Sequence, residues 1–189
     1  MEPGFGEVVA GEAQLREVLG APSERVLAKV RRSLDAQCRA FIARSPFVLV
    51  ASAGASGELD LSPRGDPAGF VRVLDDTTLA IPDRPGNRRA DTFTNLLQRP
   101  QVALLFIIPG KGETLRVGGS ARIVRDAALR ESMAVEGRAP ALALVVSVRE
   151  AFFHCPKCFA RSRLWEPASW PAAKSLEACP QLPIRDPLY

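Results

Sequence analysis

Three guanidiniums fall within six residues in the run Asp83-Arg84-Pro85-Gly86-Asn87-Arg88-Arg89, where Pro-Gly makes a turn. Arginine keeps its charge at any physiological pH and presents a planar fork that matches phosphate or carboxylate. At a turn that opens a helix, unpaired backbone N–H groups and the helix dipole add to that attraction. The run reads as an anion site, for phosphate above all, or as a basic loop that faces water. A second segment, Leu61-Ser62-Pro63-Arg64-Gly65-Asp66-Pro67, puts a hydroxyl, a guanidinium and a carboxylate at the end of a strand. Its plainer reading is a turn held by an Arg–Asp pair, worth little when exposed. A third, Phe153-His154-Cys155-Pro156-Lys157-Cys158 onward to Trp165, holds the single His of the chain, several cations and a C-x-x-C. Zinc there would need four ligands, drawn from His154, Cys155, Cys158 and the distant Cys179, and a redox pair would want a strand–helix setting. With no second C-x-x-C, no metal is expected and Cys158 reads as a tolerated small side chain. His154 reads either as a structural residue or as an acid–base group.

The elements that must position these residues follow from periodicity. Apolar residues at helical spacing from Ser23 to Ile42 predict one amphipathic helix capped by Ser23, preceded by a shorter one at Glu12 to Leu19 that Gly20 closes. Pro46 to Ala53 and Leu59 to Pro63 predict a hairpin, and Phe70 to Leu74 with Thr78 to Ile81 a second one. Asn87 is a candidate cap for a helix whose first turn holds Arg88 and Arg89 and which stops at Pro100. Gln101 to Ile108, Glu113 to Val124 and Ala141 to Phe153 predict further strands, with a bulge or a close backbone approach at Gly118-Gly119 and a short helix at Asp126 to Val135. Strands joined mainly by short turns exclude an alternating parallel design and predict a mainly β, α+β chain: an antiparallel split β-barrel with flanking helices. The organisation expected is a helical segment over 1–45 packing on the barrel, the barrel over 46–167, and a C-terminal arm over 168–189.

Composition narrows the function classes. Of the 25 basic residues only four are Lys, and they are spread along the chain, with a formal net charge of +4. No basic stripe or tail marks a nucleic-acid binder. No apolar run has the length of a signal peptide or a membrane span, so a cytoplasmic protein with no membrane partner is expected, its four cysteines carried as thiols and Cys38 in the core. Neither a dinucleotide fingerprint nor a P-loop occurs.

The run from Ser62 to Leu96, S-P-R-G-D-P through I-P-D-R-P-G-N-R-R, continued by R-P-Q-V-A-L-L-F-I-I-P-G-K-G-E-T-L-R-V-G-G-S-A-R-I, resembles the pyridoxamine 5′-phosphate oxidase-like flavoproteins, in particular their bacterial branch with the SPRGDP and IPDRPGNRR motifs. The resemblance spans Phe47 to Trp165. It implies an FMN-binding split barrel, a homodimer with FMN at the subunit interface, and hydride transfer at the flavin N5 to or from a small organic substrate. By position it implies that Arg88 and Arg89 grip the FMN phosphate, with Asn87 before them and Arg64 and Ser62 in support. Ile81 and Pro82 would line the flavin ring through their backbone. Glu113 and Thr114 would reach in from the second subunit, with Arg163 and Trp165 as further cofactor contacts, Trp165 as a wall. His154, Lys157 and Arg161 stand as candidate substrate contacts. A flavin-binding protein without turnover, and a deazaflavin-dependent reductase on the same fold, are the alternatives.

Overall fold

The computed structural model describes residues 4, 6–177 and 179–180. The chain divides into two compact units, residues 1–30 and 31–189. In the first, helix α1 (Glu12–Leu19) closes at Gly20, whose φ of 72° is one that glycine adopts without strain, and α2 (Glu24–Leu27) follows.

The single helix expected from Ser23 to Ile42 is two. Helix α2 ends at Leu27, and α3 (Ala36–Ile42) begins after Asp35, whose carboxylate accepts the Cys38 N–H at 2.9 Å. Between them the backbone of Arg31 pairs with Ala151 and the Leu34 N–H donates to the Asp76 carbonyl. Helical spacing is satisfied on both sides of the break, so only these tertiary hydrogen bonds reveal it. Leu34, Cys38 and Ile42 are fully buried and seat α3 in the main core.

The second unit is built on one seven-stranded antiparallel sheet, in the order β2 (Leu59–Gly65), β1 (Phe47–Ala53), β5 (Gln101–Ile107), β6 (Thr114–Val124), β7 (Ala143–His154), β4 (Thr78–Pro82), β3 (Arg72–Val73). Helix α4 (Asp91–Gln98) packs on β1, β2 and β6, while α5 (Ala127–Ser132) and α6 (Lys157–Ser162) flank the sheet. This is the mainly antiparallel sheet with flanking helices that the strand pattern predicts, open between its edge strands as a split barrel is. Alternate residues point inward, and the core is made by Val48, Val50, Leu79, Ile81, Leu104, Phe106, Leu115, Val117, Leu144 and Val146.

Within the sheet, the β6–β7 register shifts between Gly118 and Gly119, the expected bulge, and a Cβ on Gly119 would lie 2.1 Å from the Ser147 carbonyl oxygen. At its edge, the alternation of β2 is inverted relative to an ordinary edge strand: Asp60, Ser62 and Arg64 turn inward, while Leu59 and Leu61 are 87% and 61% exposed. Strand β3 is only two residues long; Phe70 and Val71, expected within it, precede it and are buried in the core. Of the arm expected over 168–189, residues 178 and 181–189 lie outside the described residues. No helix among the described residues is long and apolar enough to cross a membrane.

Candidate functional site

The period of two along β2 sets Asp60, Ser62 and Arg64 on one face, toward α4. There they meet Thr92, a buried residue of the first turn of α4. Thr92 Oγ1 donates to Asp60 Oδ2 at 3.0 Å and lies 3.0 Å from Ser62 Oγ, and Ser62 Oγ also donates to Asp60 at 3.1 Å. The Arg64 guanidinium donates to Thr92 Oγ1 over a long 3.4 Å, so most of its donor capacity is uncommitted to that network.

The loop from Asp83 to Ala90 faces this network. It is latched in place by a contact that differs from expectation: Asp66 pairs with Arg84, at 2.6 Å, and the Asp66 side chain is 1% exposed. The pair joins the end of β2 to the loop after β4 and is not a local turn contact. Arg84 also donates to the Met133 carbonyl at 3.0 Å. Of the three guanidiniums in the basic run, then, Arg84 is part of the frame. Arg88 and Arg89 lie in the loop, not in the first turn of α4 as expected, because Ala90, in the left-handed region at φ 58°, is the cap. Asn87 does not cap the helix; its Oδ1 accepts the Arg89 N–H at 3.0 Å and shapes the loop. Arg88 is itself at φ 61°, exposed, with no hydrogen bond or ion pair to the described residues, and Arg89 meets the exposed Asp91 at 2.8 Å.

Two clefts open on either side of this loop. One of about 820 Å³ is lined by Arg64, Asp83, Arg88, Phe93 and Arg138 among others, and one of about 540 Å³ by Ser62, Arg64, Pro82, Asn87, Arg89 and Thr92. Both volumes suit a small organic ligand. Burial pushes the Asp83 carboxyl above its ordinary range, against the pull of Arg64 and Arg84. Ile81 and Pro82 are buried; β3 pairs with β4 only at Leu79 and Ala80, so Ile81 and Pro82 are bridged on the β7 side alone.

The remaining expected site residues gather elsewhere. Thr114, buried at the start of β6, lies opposite His154 at the end of β7. Glu113 meets Lys111 at 3.0 Å, and that hydrogen bond holds its carboxyl below the ordinary range. The Trp165 indole donates to the Lys111 carbonyl at 2.9 Å and stacks on Phe159 at 5.3 Å, which seats the segment after β7 on the β5–β6 turn. The His154 ring lies 4.9 Å from that of Phe152. Lys157 and Arg161 are exposed on α6, and Arg163, at φ 52°, pairs with Glu166 at 2.7 Å. No residue of this second group lines either cleft. Among the described residues no three His, Cys, Asp or Glu gather as a metal site would require.

Sequence reasoning passed over Asp60, Thr92, Asp83 and the Asp66–Arg84 latch. Asp60 was within reach, since it shares the period-two row with Ser62 and Arg64. Thr92 and the latch depend on contacts across 18 or more residues, for which no local pattern exists.

No curated protein matches this chain. Its fold is that of solved structures of low sequence identity. HupZ from Group A Streptococcus is 20% identical, with 62% of this chain and 90% of that one covered, at a TM-score of 0.51. A candidate pyridoxamine 5′-phosphate oxidase from Lactobacillus delbrueckii is 18% identical, with 65% and 95% covered, at a TM-score of 0.52. The family model described as pyridoxamine 5′-phosphate oxidase matches residues 34–155, from the start of the main core to Cys155, where β7 has just ended. That is more than half of the sequence, and the chain belongs to the pyridoxamine 5′-phosphate oxidase family.

Proposed function

We propose that this chain is a flavoprotein of the branch carrying the SPRGDP and IPDRPGNRR motifs, which binds FMN and, as a homodimer, oxidises or reduces a small organic substrate by two electrons. The observation that carries the reading is the cleft of about 540 Å³ lined together by Arg64, Arg89, Ser62 and Thr92, with Arg88 and Arg64 lining the adjoining cleft of about 820 Å³. The donor set fits a dianionic phosphate: three forked cations, two of them exposed, and hydroxyls that can turn to donate. Ile81 and Pro82, paired on one side only, would offer backbone to the ring edge. FMN, when bound, supplies an N5 that takes or gives a hydride, and the protein supplies orientation and charge.

A second copy of the chain accounts for the separation of the two residue groups. Pro82 pairs with Ala143 at one end of β7, and His154 stands at the other. A strand of that length runs about 36 Å at ~3.3 Å per residue. His154, Lys157, Arg161, Arg163, Trp165, Glu113 and Thr114 would therefore serve the clefts of the partner. The outer sheet face supports this. Exposed Pro63 continues in register through Leu49 and Leu105, exposed Leu61 through Ala51 and Ala103, and Phe47 and Ile107 lie beside them, an apolar surface of the kind that marks an interface.

The test is flavin titration of the purified protein and of Arg88→Ala/Arg89→Ala. Each charge-assisted contact is worth roughly 1.5–3 kcal/mol, so the double variant binds FMN at least a hundredfold more weakly while remaining folded. Unchanged affinity removes the clamp from the reading, and a protein that ignores FMN but takes up a deazaflavin changes the cofactor. Sedimentation of the loaded protein as a monomer refutes the shared site.

A further inference from the structure

Cys155 and Cys158 are exposed thiols at the junction of β7 and α6. Pro156, at φ −75° and ψ 0°, caps α6 and Lys157 opens it, so Cys155 stands just before the cap, Cys158 is the second helical residue, and the four residues form a turn. The ends of such a turn lie within about 7 Å of each other at Cα. A disulfide spans about 4.4–6.8 Å at Cα, which two exposed side chains on this turn can meet.

We propose that Cys155 and Cys158 form a dithiol–disulfide exchange site for low-molecular-weight disulfides. The thiolate of one cysteine attacks a sulfur of R–S–S–R and expels one R–S⁻. The second thiolate then attacks the protein sulfur of the mixed disulfide and expels the other R–S⁻. Two protein S–H bonds and one small S–S bond become one Cys155–Cys158 bond and two R–SH. The protein is oxidised by two electrons, which reduce the small disulfide, and the two protons end on the released thiols.

The surroundings select the oxidant. Glu113 is matched by Lys111 and Glu166 by Arg163, while Lys157 and Arg161 enter no ion pair among the described residues. That excess of cations favours a disulfide that bears carboxylates, such as oxidised glutathione. The other cysteines provide internal controls. Cys38 is buried, which pushes its thiol up to about 11 and keeps it from the solvent, and Cys179 is exposed but far along the chain. The new bond would tie the end of β7 to a helix already seated by the Trp165–Lys111 hydrogen bond and by Pro156, which lies where a Cβ on Gly112 would fall. Oxidation would thereby stiffen the segment from Cys155 to Trp165 without relocating it.

The experiment equilibrates the full chain in glutathione redox buffers, quenches with an alkylating agent and reads each cysteine by mass spectrometry. The expected result is joint loss of alkylation at Cys155 and Cys158 within one chain, with no glutathione retained there. The ratio of reduced to oxidised protein should follow the square of the reduced glutathione concentration over that of the disulfide. Cys158→Ser, a change at an exposed position, should instead retain one glutathione on Cys155. Amide hydrogen exchange over residues 156–165 should slow in the oxidised protein. Thiols that stay reduced, mixed disulfides on both cysteines, bonds only between chains, zinc bound in their place, or unchanged exchange would overturn the proposal.

Discussion

Breaking the Asp66–Arg84 latch should cost more stability than any other single ion-pair deletion in the described chain. The Asp66 side chain is 1% exposed and that of Arg84 16%, whereas every other ion pair found among the described residues has both side chains at least 33% exposed. Removing one partner of a buried pair leaves the other charge desolvated without compensation, at about 3–5 kcal/mol. Asp66→Ala and Arg84→Ala should each cost about 3–5 kcal/mol. A loss of ~3 kcal/mol lowers the folded-to-unfolded ratio about a hundredfold, a large share of a typical 5–15 kcal/mol. Urea denaturation followed by circular dichroism checks this, with the midpoint falling and the slope unchanged. The double variant Asp66→Leu/Arg84→Met should be more stable than either alanine variant, since no buried charge remains. If Asp66→Ala costs under about 0.5 kcal/mol, the pair does not hold the basic loop to β2 and the reasoning fails.

Two further outcomes can be checked on the same instrument. Gly119→Ala puts a methyl against the Ser147 backbone and should lower stability by about 1–3 kcal/mol, while Gly118→Ala meets only the flexible Glu150 side chain at 3.1 Å and should cost far less; equal melting temperatures would discount the bulge as a constraint. Asp35→Ala removes the cap of α3 and should cost about 1 kcal/mol at neutral pH. The Cys38 N–H, with Arg31 nearby, holds the Asp35 carboxyl below its ordinary range, so its contribution is present above pH ~4 and fades as pH falls through the lowered folded value. The gap between wild type and variant should narrow on acidification, and a constant gap would show that the charge takes no part in capping.

Local chemistry made much of this protein legible in its sequence. Strands of alternating or continuous apolar character, Gly-containing turns and the Gly118-Gly119 pair specify an antiparallel sheet with a bulge, because each depends on neighbours within a few residues. The basic run was legible as a local concentration of charge for the same reason. What the sequence left undecided depends on distant partners. The break between α2 and α3 follows from hydrogen bonds to Ala151 and Asp76, and helical spacing on both sides hides it. Which arginine of the basic run is structural is settled by Asp66, eighteen residues away, and Thr92 joins Asp60 only because α4 folds back on β2. By resemblance, Arg163 and Trp165 are expected around the same cofactor as Arg88 and Arg89. The length of β7, a single extended strand with the two groups at its opposite ends, is what separates them within one chain.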